Sequence, residues 1–431
     1  MKQRTMEMIK MPKSRLKIEG LQLSDIESLQ ATRTRVSVDT INGVKAPRFI
    51  REVMTPNIRQ TSSLQTDKVE YDSHVKWAVS KAITIQIESW LGYQHDPQRT
   101  GRTTANNVII VGDGSGYVYM LRPDKSEVWV VQLEDSIRTQ PIIGDDGTIY
   151  IGDSTNTLYA LNPKDGSVKW SISLSSEPTA PAIGDDGTVY VAGRGDGVVY
   201  ALNPKDGSVK WTFNTGSSLT TTGEICLAND RLYVGTYREG TYAISLSGTQ
   251  IWNSSVNTQN PVAVGHNGAV YVTAVGWIKA LDPNDGSVIW YNDYGDASGA
   301  PSVGSDGTIY LSIKSYYYYL YAINPADGSE KWNVLAGGTW WTPPAIGDDG
   351  TIYVTNGSGG YIKAYLPDGT LKWKYDLGAA TSSPPVIAGD GTIYVGVRTS
   401  NPGMLYAFNP DGSLKWKYYT NDEIVFPPAI G

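Results

Sequence analysis

Three histidines and one cysteine are the chain's whole stock of imidazole and thiol chemistry: His74, His95, His266 and Cys226. The histidines stand far apart, with none of the short spacings by which two imidazoles share a metal ion. No Ser/His/Asp set is recognisable around them. Cys226 lies in Glu224-Ile-Cys-Leu-Ala228, where a small buried hydrophobe is expected rather than a reactive thiol. A single cysteine also excludes an intrachain disulfide. The recurring Asp-Asp-Gly-Thr phrase, as at Asp145–Thr148 and Asp185–Thr188, suggests calcium at first sight. It lacks the alternating oxygen ligands and closing Glu of a calcium loop, and turn chemistry explains it. Gly112-Asp-Gly-Ser-Gly116 is glycine-rich, yet it leads into a strand and not into a helix that would hold a phosphate. The sequence therefore predicts no catalytic residue, no metal site and no cofactor.

The abundant residues are aromatic: 13 Trp and 28 Tyr against 4 Phe. Eight tryptophans recur at nearly fixed intervals: Trp129, Trp170, Trp211, Trp252, Trp290, Trp332, Trp373 and Trp416. Their gaps are 41, 41, 41, 38, 42, 41 and 43 residues. Each ends a copy of one phrase, cleanest in Ala201-Leu-Asn-Pro-Lys-Asp-Gly-Ser-Val-Lys-Trp211. A period of this size, filled with strand-like alternation, marks a propeller or solenoid. In the third copy, strands are expected at 180–184, 188–192, 198–202 and 208–213, with Asp-Gly turns between the first two and the last two. Such a four-stranded sheet is apolar on both faces and needs neighbours packed against it. The eight tryptophans are then docking rings wedged against the next blade, not binding residues.

The two ends of the array are complementary. The first copy opens at Asn107-Val-Ile-Ile-Val-Gly112 without an innermost strand, and the chain ends in Phe426-Pro-Pro-Ala-Ile-Gly431, an innermost strand with nothing after it. An all-β, eight-bladed propeller closed by its C-terminal strand is the predicted architecture, since closure removes the open sheet edges. The expected domains are 1–89, a basic N-terminal arm or small accessory region, and 90–431, the propeller.

Comparing the copies separates two rims. The turns Asp-Asp-Gly-Thr and Asn-Pro-x-Asp-Gly-Ser are nearly constant, whereas the loops on the opposite rim differ in every blade. That rim carries Arg194, Arg238, Trp277, Tyr316, Tyr317, Trp340, Trp341 and Arg398. Aromatic residues and arginines outside the packing repeat are the types that form binding hot spots. These eight are the predicted partner- or ligand-binding residues, with Trp340 and Trp341 foremost. Exposed Trp and Tyr also stack on sugar rings, so a glycan and a protein both stay open as partners.

Charge divides the chain. Residues 1–89 carry a net +5 and the remainder a net −12. An acidic body argues against nucleic acid as partner of the propeller. No stretch approaches the ~18 apolar residues of a membrane span, and the N-terminus lacks the apolar core of a secretory signal. The sequons at Asn253 and Asn356 matter only after export. Within 1–89, Ser24 is placed to cap a short helix, and Arg35–Asp39, Ile41–Val44 and Lys81–Glu88 read as short strands, the middle one around an Asn-Gly turn. With few apolar residues and too few neighbours for a sheet, this stretch is expected to act as a docking arm.

The phrase Ala-Leu-Asn-Pro-x-Asp-Gly-Ser-x-x-Trp resembles the tryptophan-docking motif of the quinoprotein dehydrogenase propellers. Trp90-Leu-Gly-Tyr-Gln-His-Asp-Pro-Gln-Arg-Thr-Gly101 is similar to the segment that leads into PQQ-like repeats. The resemblance spans about 90–431 and implies an eight-bladed ring. It includes enzymes as well as a non-enzymatic outer-membrane assembly lipoprotein, so it implies fold more strongly than chemistry. What the resemblance implies for the enzymes is an adjacent-cysteine disulfide by the cofactor, a carboxylate base and metal-binding Glu and Asn. One cysteine cannot supply the first, and no residue set aligns with the rest. The lipoprotein's signal and lipidated cysteine are not matched either. The expected function is that of the non-enzymatic branch: an interaction or structural module in a larger assembly, a virion or surface structure among them, docked through its arm. The alternatives are a carbohydrate-binding adhesin working through the aromatic rim, and a diverged quinoprotein oxidoreductase.

Overall fold

The computed structural model describes residues 108–431 apart from 220–223, 259, 298, 315–317, 338–341, 358, 400 and 401, together with five strands within 1–89. The chain divides into two units, Met1–Ser89 and Trp90–Gly431. In the first, Arg35–Ile41 pairs antiparallel with Val44–Phe49 across Asn42-Gly43, and Met6–Glu7 adds a third strand. Arg15–Glu19 pairs with Thr84–Glu88. The Asn-Gly pair thus joins two strands instead of lying within one, and the short strands do find neighbours, which corrects the expectation that they had too few. Their partners lie far away in sequence, where local pattern does not reach. The helix expected at Ser24 lies outside the described residues.

The second unit is a propeller of eight antiparallel blades. Blade 2 shows the pattern: Ile142–Ile143, Ile149–Gly152, Thr157–Leu161 and Val168–Ser173 pair in chain order. In blade 3 the innermost strand is only Ala182–Ile183, shorter than expected because Pro181 has no N–H to donate, and the outer strand runs Val209–Asn214. Blade 5 departs from the pattern. Its middle segment Val270–Leu281 is one continuous strand, and its long outer strand Val288–Ala297 pairs at Asp296 and Ala297 with Lys314 and Ile313 of blade 6.

The ring closes where the sequence places the closure. Ala429–Ile430 pairs with Ile109–Gly112, and Val108 and Gly431 exchange backbone hydrogen bonds of 2.9 and 3.1 Å. The core is not central. It is a series of eight apolar clusters, one between each pair of neighbouring blades; Tyr150, Leu158 and Trp170 of blade 2 meet Val189, Val191 and Leu202 of blade 3 in one of them.

One contact recurs at every blade interface. Trp170 donates its indole N–H to the carbonyl of Pro204 at 2.8 Å, in the turn between the two outer strands of blade 3. Gly207 lies under the ring at φ +72°, and a Cβ there would stand 2.6 Å from Trp170 Cε3. The other seven tryptophans make the same bond at 2.8–3.0 Å, ending with Trp416 to Pro123 across the closure. A β-bulge just before each tryptophan leaves one outer-strand residue unpaired and re-aims it. That residue is lysine in five blades. Lys210, for one, reaches the Thr188 hydroxyl at 2.6 Å in the first turn of its own blade.

Two outcomes are expected. Trp170, buried and hydrogen-bonded, should cost about 3–5 kcal/mol when changed to Ala, measured by denaturant unfolding. Deleting Phe426–Gly431 should strip blade 1 of its inner strand, expose unpaired backbone and abolish the single cooperative transition in calorimetry. An intact, equally stable deletion variant would show that closure is made elsewhere.

Candidate functional site

The two rims differ in how far their polar groups are already used. On the repeated rim, Thr188 donates its backbone N–H and its hydroxyl to the two oxygens of Asp186 at 2.9 and 2.8 Å, and Ser208 does the same to one oxygen of Asp206 at 3.0 and 2.6 Å. Partial burial opposes ionisation of Asp186, but the Thr188 bonds and Lys210 outweigh it and hold the carboxyl below the usual range. These turns satisfy themselves.

The variable rim carries the loops between second and third strands and the links from one blade to the next. Among its predicted binding residues, Arg194 pairs with Glu177 at 3.2 Å and Arg398 with Glu423 at 2.6 Å, each tying a blade loop to a neighbouring link. Trp277 packs at the edge of the blade 4–5 core with the Lys279 ammonium 4.4 Å from its ring centre. Arg238 lines an open groove with Tyr237, Glu239 and Gly216–Ser218. Tyr316, Tyr317, Trp340 and Trp341 lie outside the described residues. The four described residues stand on blades 3, 4, 5 and 8 and do not form one site. Cys226 is fully buried between blades 4 and 5, and His266 sits in the first turn of blade 5. His74 and His95 are outside the described residues.

A cleft between blades 6 and 7 was not legible as a site. It is lined by Ser312, Tyr318, Tyr319, Gly337, Asn356 and Lys363, and it leaves room for roughly one water-sized group. Lys363 stands in the third strand, Tyr361–Tyr365, at a slot that six blades fill with tyrosine: Tyr119, Tyr159, Tyr200, Tyr242, Tyr321 and Tyr406. Two of those hydroxyls tie their blade to the preceding one. Tyr242 donates to the Thr215 carbonyl at 2.9 Å and Tyr406 to the Leu377 carbonyl at 2.8 Å. Lys363 makes the equivalent bond, from Nζ to the Ala336 carbonyl at 2.5 Å. The lysine keeps the tie but adds a charge and two further donors. No carboxylate among the described residues pairs with it. Burial first, and then the nearby Lys374 cation, push its ammonium below the ordinary lysine value. Lys374 itself is committed to the Tyr361 ring, 3.4 Å from its centre. Asn356, only 8% exposed despite heading a sequon, accepts the Gly359 N–H through Oδ1 at 2.9 Å. Its Nδ2 has no hydrogen-bond partner among the described residues. The signal that could have found this site was a break in the repeat: lysine where six copies have tyrosine, shared only with Lys279 of blade 5, which instead lies against the Trp277 ring.

The family model described as outer membrane protein assembly factor BamB matches residues 114–275, 274–348 and 319–426. The chain belongs to that family. No curated protein matches the sequence. Among solved structures, the quinohemoprotein alcohol dehydrogenase ADHIIG from Pseudomonas putida HK5 aligns at 12% identity over 79% of this chain and 73% of its own, with a TM-score of 0.62. The quinohemoprotein alcohol dehydrogenase from Comamonas testosteroni aligns at 12% over 79% and 74%, with a TM-score of 0.60. At these identities the likeness is one of fold. The residues needed for a quinone cofactor do not fit: the lone Cys226 is sealed in an interblade core, and no cluster of three or more His, Cys, Asp or Glu among the described residues is placed to hold a metal ion. Nor is any helix of the described residues long and apolar enough to cross a membrane.

The depressed Lys363 value has a stability consequence. Below its folded pKa the buried charge costs the folded state fully; between that value and the unfolded 10.5 the unfolded chain holds the extra proton, so stability rises with pH. Lys363→Met should be more stable than the parent at neutral pH, and the gap should shrink as pH approaches 10.5. A gap independent of pH in urea unfolding would show that Lys363 carries no desolvation cost.

Proposed function

We propose that this member of the BamB-described family is a non-catalytic interaction module, a subunit of a larger assembly that docks through its N-terminal unit and the variable rim of its propeller. The observation that carries the reading is the asymmetry of the rims. Most copies keep one set of self-satisfied turns on one side, while the other side differs in every blade and holds the Tyr237–Glu239 groove and the Lys363 cleft. The docking contacts constrain the repeated rim only, so the opposite rim is the face free to carry partner-specific loops. The charge division supports the second half of the proposal, since a +5 segment beside a −12 body favours docking on an acidic surface. The single cysteine and the missing donor set support a role without quinone chemistry.

The test is recovery of the native assembly with the full chain as bait. Ala substitutions at Arg238 and Tyr237 on the variable rim, and at Trp340 and Trp341 in its loops, should each weaken partner binding by more than ~1 kcal/mol where they act as hot spots. Equivalent changes at Lys164 and Lys205 on the repeated rim should leave it unchanged. Equal losses on both rims would refute the assignment of faces. Calcium-dependent alcohol oxidation after reconstitution with the quinone would refute the non-catalytic reading.

A further inference from the structure

We propose that Lys363 and Asn356 form a binding site for a carboxylate group at the variable rim between blades 6 and 7. The third-strand slot can supply a donor to the carbonyl that follows the preceding blade's outer strand, as Tyr242 and Tyr406 do, whereas Tyr119 and Tyr159 bond Asp113 and Asp153 of their own blades. Replacing tyrosine with lysine places an ammonium in a half-buried cleft, a cost that the phenol avoids. Among the described residues nothing offsets that cost, because the lysine's hydrogen bond there is to a neutral carbonyl.

The neighbouring group has the same polarity. Asn356 uses its amide oxygen on Gly359 and leaves Nδ2 as donor. The two donors converge: the position a Cβ on Gly337 would take lies 3.7 Å from Asn356 Nδ2 and 3.9 Å from Lys363 Nζ. Gly337, at φ +76°, leaves that position empty of any side chain. A charged donor and a neutral donor facing one small space, with no acceptor charge present, select an anion. One available positive charge matches a monoanion. Lys374 is already engaged on Tyr361 and the propeller is acidic overall, so a doubly charged phosphate or sulfate would be under-neutralised. Space for about one water-sized group admits a carboxylate oxygen and no large ligand. Tyr318 and Tyr319 at the mouth would flank the group that bears it.

The proposal goes beyond the interaction reading and is tested without any partner. Acetate is titrated against the full chain by saturation-transfer NMR, with sulfate and phosphate as competitors. The parent should show saturable acetate binding, displaced at least about tenfold less readily by sulfate or phosphate. Lys363→Tyr restores the residue of six other blades and removes the half-buried charge, so it should keep or raise the folding midpoint while weakening acetate about tenfold or more. Asn356→Asp keeps an acceptor for Gly359 but supplies an internal carboxylate to Lys363, and should also block acetate. Lys205→Met, on the repeated rim, should have no effect. Unsaturable acetate signals in the parent, or equal binding by Lys363→Tyr and Asn356→Asp, would overturn the site. Tighter binding of sulfate or phosphate than of acetate would overturn the carboxylate assignment.

Discussion

Everything in the propeller depends on one contact, the indole of each outer strand seated on the next blade's last turn. It is directional: the ring belongs to one blade, while the carbonyl and the glycine beneath it belong to the next. A head-to-tail contact of this kind ends only when the array meets itself. Trp416 bonding Pro123 at 2.8 Å is therefore the same interaction as the other seven, made between the two ends of the chain. At seven of these turns the glycine is required twice over, by a positive φ and by an indole about 3 Å or less from where a Cβ would be; at the closure Lys125 takes the position at φ +66°. The β-bulge preceding each tryptophan belongs to the same device, because it aims the ring forward and frees the residue before it to turn back onto its own blade.

This contact also explains why the two rims have diverged so differently. The docking turn, the bulge and the Asp-Thr pair that receives the bulged lysine all sit at one end of the blade. Changing the docking turn or the tryptophan disturbs an interblade core. At the opposite end, strand termini are held by the same packing but the loops beyond them are not, so substitutions there are limited only by local satisfaction. Blades 4 and 5 show that the freedom on the repeated side is confined to the lysine and its turn. There Ile251 and Ile289 replace the bulged lysine, the first turns lack the Asp-Gly-Thr phrase, and the tryptophan bonds persist unchanged.

The architecture was legible because its cause is local and repeated. Trp spacing, Asp-Gly turns and complementary ends each report on contacts that recur at a fixed offset, and all three map directly onto the ring. The rim was legible only as a face. Arg194 and Arg398 have the composition of binding residues, yet their ion-pair partners, Glu177 and Glu423, lie in other loops, 17 and 25 residues away. An arginine's availability is decided by such partners, and sequence composition does not show them. The pairing of Arg15–Glu19 with Thr84–Glu88 was hidden for the same reason. Lys363 failed in the opposite direction: a lone lysine in a strand reads as a solvated side chain until the copies are aligned slot by slot.

A repeat protein supplies its own control for function. Where most copies fill a slot with one residue type, a departure in another is either tolerated drift or selected chemistry, and energetics separates the two. Drift moves towards residues that cost nothing, as with the isoleucines at the bulge, which lose only an exposed ion pair worth ~1 kcal/mol or less. Lys363 moves the other way, towards a buried charge without a counter-charge, and Asn356 beside it leaves a donor unused. A half-buried charge with no counter-charge among the described residues and an unused amide donor beside it share one polarity, and a ligand of the opposite charge accounts for both.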